Sequence, residues 1–165
     1  MSMMYDPVVL THARALLTSS TPGTIDYLDA DLRGPQTILR HAAHTLDFSR
    51  PVAVMLIAIM HLIVDEDDPH GIVGQLLDAV PAGSYLALSQ VASDIQAEQM
   101  AEAAKRYNRL ARETQRHRNR AEVARFFSGL ELVEPGLVPV QQWRPASELE
   151  ARARSAMWGG VARKA

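Results

Sequence analysis

Residues 51–89, PVAVMLIAIMHLIVDEDDPHGIVGQLLDAVPAGSYLALS, decide the fold. Pro51 to Met60 is apolar at consecutive positions. That pattern predicts a strand buried on both faces, as in a parallel sheet covered by helices. Asp65 to Asp68 turns the chain, and Asp68-Pro69 opens a helix. The carboxylate caps it, and proline tolerates the first turn because its missing N–H has no partner there. Ile72, Val73, Leu76, Leu77 and Val80 follow at helical spacing. Pro81-Ala82-Gly83 stops the helix, and Ser84 to Ser89 reads as the next strand. Strand, helix and strand in that order predict an α/β fold with a mostly parallel sheet.

The alternation continues on both sides. Upstream, Asp6-Pro7 opens a helix with Val8, Val9, Ala13, Leu16 and Leu17 on one face. Thr21-Pro22-Gly23 is a turn, Thr24 to Leu28 a short strand ending in Asp29-Ala30-Asp31, and Pro35 to Ala42 a short helix. Downstream, a long helix or helix pair spans residues 94–116, and Asn119 with Glu122 forms a capping box for a helix through Phe127. Leu130 to Val133 reads as a strand, Leu137 to Gln141 as extended, Glu148 to Ser155 as a helix and Met157 to Ala162 as a final strand. Ligands of open sheets bind beyond the carboxyl ends of the strands. The loops to watch are therefore Asp29-Ala30-Asp31, His61 to Asp68 and Gln90 to Asp94.

Composition narrows the class. The chain has 165 residues, a length for one domain, with 47% hydrophobic and 22% charged residues. It is not a disordered or collagen-like sequence. It has no cysteine, which excludes a disulfide scaffold, a thiolate metal site and a cysteine nucleophile. The longest apolar run, Pro51 to Val64, contains His61 and falls short of the roughly 20 residues a membrane-spanning helix needs. Met1 to Asp6 has no basic residue, so it is not a signal peptide, and a cytoplasmic location is expected. Net charge is −2, but residues 1–100 carry twelve acids and four bases, and residues 101–165 carry seven acids and thirteen bases. The two parts attract each other, or the basic part meets an anion.

Several residues carry candidate chemistry. His61 follows the strongest strand, and an imidazole titrates near neutrality, so it could act as a general base; it reads equally as a buried, hydrogen-bonded histidine. Asp65, Glu66, Asp67 and Asp68 lack the spaced oxygens and central glycine of a calcium loop. They read as a solvated turn with Asp68 as cap, and no metal is expected. Lys105, Arg109, Arg112 and Arg116, spaced 4, 3 and 4, share one helix face, opposite Met100, Ala103, Tyr107 and Leu110. That face is an anion patch or a solvated side, and no nucleic-acid motif accompanies it. Trp143 and Arg144, before Pro145, could line a substrate mouth, or Trp143 could belong to the core.

The segment Leu77 to Ser89 resembles the helix, Pro-Gly turn and fifth strand of class I S-adenosylmethionine-dependent methyltransferases. Pro51 to Leu62 resembles their fourth strand and following loop, and Tyr27-Leu28-Asp29-Ala30-Asp31-Leu32 their third strand. A bacterial subfamily typical of actinomycetes is more similar still. It has close counterparts of Asp6-Pro7-Val8-Val9, Leu46 to Ala53, Arg120 to Phe127, Leu130 to Gly136 and Trp143-Arg144-Pro145. The resemblance implies a Rossmann-like fold with S-adenosylmethionine as cofactor and a small-molecule acceptor. It implies an adenine contact at Asp29 and the Ala30 N–H, with Met60 and His61 in the loop bordering cofactor and substrate. Asp29 reads independently as a turn or cap residue.

The family's first strand and Gly-rich loop have no counterpart, since no three glycines complete a G-x-G-x-x-G arrangement. The family's ribose-binding acid corresponds to Met4. The chain is therefore expected to be the N-terminally truncated, C-terminal portion (1–165) of a methyltransferase domain. Strand order 3-2-1-4-5-7-6 in the family then leaves apolar strand edges facing a gap. Either strands 3 and 4 pair directly, or a partner fills it, a homodimer or a separate N-terminal half. The expected function is methyl transfer to an unidentified acceptor; the alternative is a non-catalytic remnant or interaction module of the same fold.

Overall fold

The computed structural model describes residues 25–111 and 114–165. The expected helix from Asp6-Pro7, the Thr21-Pro22-Gly23 turn, Met4, Thr24 and Arg112 lie outside the described residues. In chain order the elements are α1 (Pro35–Ala42), β1 (Ala53–Leu56), α2 (Pro69–Asp78), β2 (Tyr85–Val91), α3 (Ala97–Leu110), α4 (Arg120–Ala124), β3 (Glu131–Leu132), β4 (Val138–Pro139), α5 (Glu148–Ala151) and β5 (Met157–Arg163). Single 3-10 turns cover Met60–Leu62, Asp65–Asp67, Arg125–Phe127 and Val140–Gln142.

The middle strand is β2. It runs parallel to β1, with Ala53 opposite Tyr85, and antiparallel to β5, with Tyr85 opposite Arg163. On the far edge of β5, β3 pairs at Arg163 and Ala162, and β4 pairs at Gly159 and Trp158. The expected α/β architecture is present, but the sheet is not mostly parallel: among the described residues β1 and β2 are its parallel pair. A final strand of seven residues returns between β2 and β3 and reverses direction, which periodicity does not reveal.

Local chemistry explains the β1–α2–β2 unit. The Gly71 N–H donates to the Asp68 side chain at 3.0 Å, capping α2. A Cβ on Gly71 would lie 2.0 Å from Asp68 Oδ2, so any larger residue there would push the capping carboxylate aside. At the other end, Lys164 Nζ donates to the carbonyls of Leu77 and Val80 at 2.8 and 2.9 Å. A cation over the last helical carbonyls also complements the helix dipole. Gly83 then turns the chain at φ +84°, a left-handed conformation that favours glycine.

The core occupies one face of the sheet. Leu56, Leu86, Leu88 and Ala162 pack with Ile72, Val73 and Leu76 of α2 and with Phe126, Phe127 and Leu137. The other face is open: Met55 is 66% exposed and Ile57 54%. The expectation of a strand buried on both faces from Pro51 to Met60 is thus corrected to a four-residue strand with one covered face. β1 pairs on one side with β2, and no described strand pairs its other edge. For the same reason Ile25 to Leu28 forms no strand: it has no ladder partner among the described residues. Direct pairing of that segment with β1 does not occur.

Other boundaries shift. α3 ends at Leu110, where Ala111 turns extended, and Gln115 and Arg116 are not helical. α5 stops at Ala151 rather than Ser155. The expected extended stretch from Leu137 becomes β4 followed by the Val140–Gln142 turn. Among the described residues no helix is long and apolar enough to cross a membrane.

Leu86, the second residue of β2, has no exposed surface and packs in the core. Replacing it with alanine is expected to lower stability by about 3 kcal/mol in urea titration, through lost transfer energy and the cavity left behind. Leu149→Ala, at a side chain 82% exposed, is expected to stay within about 0.5 kcal/mol.

Candidate functional site

The site is built where β1 and β2 end. After Leu56 the chain passes through Ala58, a residue at φ 52°, whose N–H donates to Ser89 Oγ of β2 at 2.9 Å. That bond turns the backbone sharply into the Met60–Leu62 turn. Met60 has no exposed surface, and His61 is 9% exposed.

The segment from Gln115 to Arg118 lies across both strand ends. The Arg116 N–H donates to the His61 carbonyl at 2.7 Å, and Gln90 Nε2 donates to the Arg116 carbonyl at 2.8 Å. Arg118 forms an isolated parallel bridge with Ala92. Its guanidinium is buried and donates to the carbonyls of Met60 and Ile63 and to Asp65. Arg116 also donates to Asp65, at 2.9 Å, and to Glu122, at 2.6 Å. Glu122 in turn completes the capping box, accepting from the Asn119 N–H while Asn119 caps α4. The two guanidinium groups hold the Asp65 carboxyl below the usual carboxylate range, Arg116 first.

A second network brings in Asp29 and Ala30. Asp31 accepts from the Arg33 backbone N–H at 2.9 Å. Arg33 donates from Nε to Asp67 at 2.8 Å and from Nη2 to the Leu62 carbonyl at 3.1 Å. The Asp29–Ala30 loop is therefore tied to the loop that carries His61. Ala30 is buried, while the Asp29 side chain is exposed and engaged by no described residue. A carboxylate at this place could accept from an amino group, and the neighbouring Ala30 N–H could donate to a ring nitrogen. His61 Nδ1 and Gln90 Oε1 are buried without a hydrogen-bond partner. Burial pushes the His61 imidazole below its ordinary range, and His117 and Arg118 push the same way. His61 is thus neutral at neutral pH.

Trp143 and Arg144 lie elsewhere on the sheet. Trp143 is half-buried and lines a cavity of about 310 Å³ with Met55, Ile57, Ser89 and Gly159. Neither Asp29 nor His61 lines it. Arg144 sits over the Trp143 ring at 4.8 Å and donates to the Glu134 carbonyl. The expected basic face does not form as drawn: Lys105 and Arg109 stay on α3, but Arg116 lies beyond the helix and is paired. The Asp65–Asp68 stretch serves as ion-pair acceptor and helix cap. Among the described residues no cluster could hold a metal ion. Sequence reasoning missed Arg33, Gln90 and Arg118, whose partners lie 26 to 58 residues away. The Asn119–Glu122 box next to Arg118 was the nearest local signal.

A family model described as S-adenosyl methyltransferase matches residues 3–165. Among solved structures, a DUF574 family protein from Streptomyces avermitilis superposes with a TM-score of 0.90 at 42% identity, over 97% of this chain and 63% of that one. A candidate methyltransferase from Thermobifida fusca gives 0.82 at 34% identity, over 96% of this chain and 60% of that one. The chain thus spans about three-fifths of the length of these two. The N-methyltransferase NodS from Bradyrhizobium japonicum, solved with S-adenosyl-L-homocysteine, shares the fold alone: TM-score 0.50, 8% identity, 95% and 61% coverage. No functionally curated protein matches the chain.

Three histidines give a pH dependence of stability. Burial lowers His61, His70 and His117, with Arg125 adding at His70 and Arg116 at His117. An unfolded chain takes up these protons near about pH 6.5, before the native chain does. Between the unfolded and native values the unfolded state binds more protons, so stability falls as pH falls. Melting temperature is expected to be level above about pH 7.5 and to decline below about pH 6.5, with a shallower decline in His61→Asn. A level profile down to about pH 5 would contradict this.

Proposed function

The chain belongs to the S-adenosyl methyltransferase family, and from that membership we propose that it acts in methyl transfer from S-adenosylmethionine. In this reading the adenine end is held at Asp29 and Ala30, and the rest of the cofactor borders Met60 and His61. The observation that carries it is the exposed Asp29 carboxylate, engaged by no described residue, in a loop that Arg33 ties to the His61 loop. The donor set fits adenine: a carboxylate for the exocyclic amino group, and the Ala30 N–H for a ring nitrogen. The S-adenosyl-L-homocysteine seen in the NodS structure agrees with this class of ligand. When bound, the cofactor supplies a methyl group on a sulfonium centre.

The chain's own residues then position and deprotonate. Alignment of the acceptor with the methyl group supplies most of such a rate enhancement. His61, kept neutral by burial, is the proposed base for the acceptor's proton. Trp143 and Arg144 are the proposed walls of the mouth through which a small-molecule acceptor enters. The edge of β1 that no described strand pairs, with the exposed Met55 and Ile57, supports pairing with further polypeptide, a second copy or an N-terminal half. The reading places the protein in the cytoplasm, in keeping with a cysteine-free sequence.

Calorimetric titration with S-adenosylhomocysteine tests the cofactor assignment. Micromolar affinity is expected, on the order of −8 kcal/mol. Asp29→Asn removes the charge from the adenine-side acceptor, so affinity is expected to fall about tenfold. No binding by a cooperatively folded chain, or unchanged affinity in Asp29→Asn, would contradict the assignment.

A further inference from the structure

We propose that Arg118 is a positioning residue that locks the His61 loop to the end of β2; this rests on reading that loop as the cofactor edge. Arg118 is 2% exposed. A buried charge survives only when its hydrogen-bonding groups are matched. Here Nη1 donates to the Met60 carbonyl at 2.9 Å. Nη2 donates to the Ile63 carbonyl at 3.0 Å and to Asp65 Oδ1 at 2.7 Å. The Met60 carbonyl immediately precedes His61 and the Ile63 carbonyl lies two residues beyond it, so one planar group holds the backbone of the turn on either side of the imidazole. The Phe126 ring, 5.6 Å from the guanidinium carbon, closes one side.

The backbone of the same residue holds the other loop. Its N–H donates to the Val91 carbonyl, and its carbonyl accepts from the Ser93 N–H, each at 3.1 Å. Arg118 therefore joins the two strand-end loops through side chain on one side and main chain on the other. Lysine cannot reproduce this: an ammonium is a single point of donation, whereas the guanidinium fork spans two carbonyls. Asp65 is shared with Arg116 and more than half exposed, so it balances charge without fixing the loop.

The test compares the wild-type chain with Arg118→Lys and Asp65→Asn. The readouts are amide hydrogen exchange, S-adenosylhomocysteine affinity and the His61 imidazole resonances by NMR. In folded Arg118→Lys, exchange at Leu62 and Ile63 is expected to rise at least about tenfold, while the Val133 amide on the far strand edge stays protected. Affinity is expected to fall about tenfold or more, and the His61 titration to shift. Asp65→Asn is expected to change each readout by less than about threefold. Wild-type exchange, affinity and His61 titration in folded Arg118→Lys would overturn the proposal. So would an Asp65→Asn variant as impaired as Arg118→Lys. If the wild-type chain binds no S-adenosylhomocysteine, the cofactor reading falls, and exchange with the His61 titration alone decides the positioning role. If Arg118→Lys does not fold, wild-type exchange decides: Ile63 and Ser93 are expected to open together. Protection differing by more than about tenfold between them would overturn the coupling.

Discussion

A guanidinium withdrawn from water has to find carbonyl and carboxylate oxygens for its N–H groups, and Arg118 finds them in the loop after β1. That requirement fixes more than one side chain. It brings the segment after α3 across the ends of both parallel strands, sets Arg116 against Asp65 and Glu122, and leads directly into the Asn119–Glu122 cap. The loop that carries His61 is then shaped by charges outside it. Arg33 acts from the opposite side, through Asp67 and the Leu62 carbonyl, and adds the Asp29–Ala30 loop to the same assembly. Two arginines thus hold three loops around one region beyond the strand ends, where ligands of open sheets bind.

The sheet gives this assembly a firm base on one side only. Leu86 and Leu88 of β2 are buried against α2 and the two phenylalanines, so the strand ends are rigidly placed. Met55 and Ile57 on the reverse face remain exposed, and a cavity beside them reaches Trp143. The described residues therefore combine a hydrogen-bonded cluster of strand-end loops with an exposed apolar flank. Buried His61, kept neutral beside Arg118, belongs to the ordered side of that division.

What could be read from the sequence was what depends on neighbours in the chain. The Asp68 cap, the α2 spacing, the Pro-Gly turn and the Asn119–Glu122 box each need only a few consecutive residues, and each formed. The run from Pro51 to Met60 announced apolar character but not what covers it, so a four-residue strand with an open face replaced one buried on both faces. Spacing placed Arg116 on a helix because charge periodicity continues past Leu110; its partners at Asp65 and Glu122 took it elsewhere. Arg118 has no signal in the sequence, since its acceptors lie 53 to 58 residues away and no local pattern marks a buried arginine. Asp29 is singled out by resemblance alone, and the tie of its loop to the His61 loop, made by Arg33 across 29 residues, leaves no local pattern.

Chemical-shift mapping of the backbone amides during titration with S-adenosylhomocysteine tests the central claim most directly. The account predicts the largest shifts at Asp29 to Asp31, Ala58 to Leu62 and Gln90 to Asp94, with β3 and α5 unmoved. Shifts confined to the cavity beside Trp143, or spread evenly over the sheet, would contradict it.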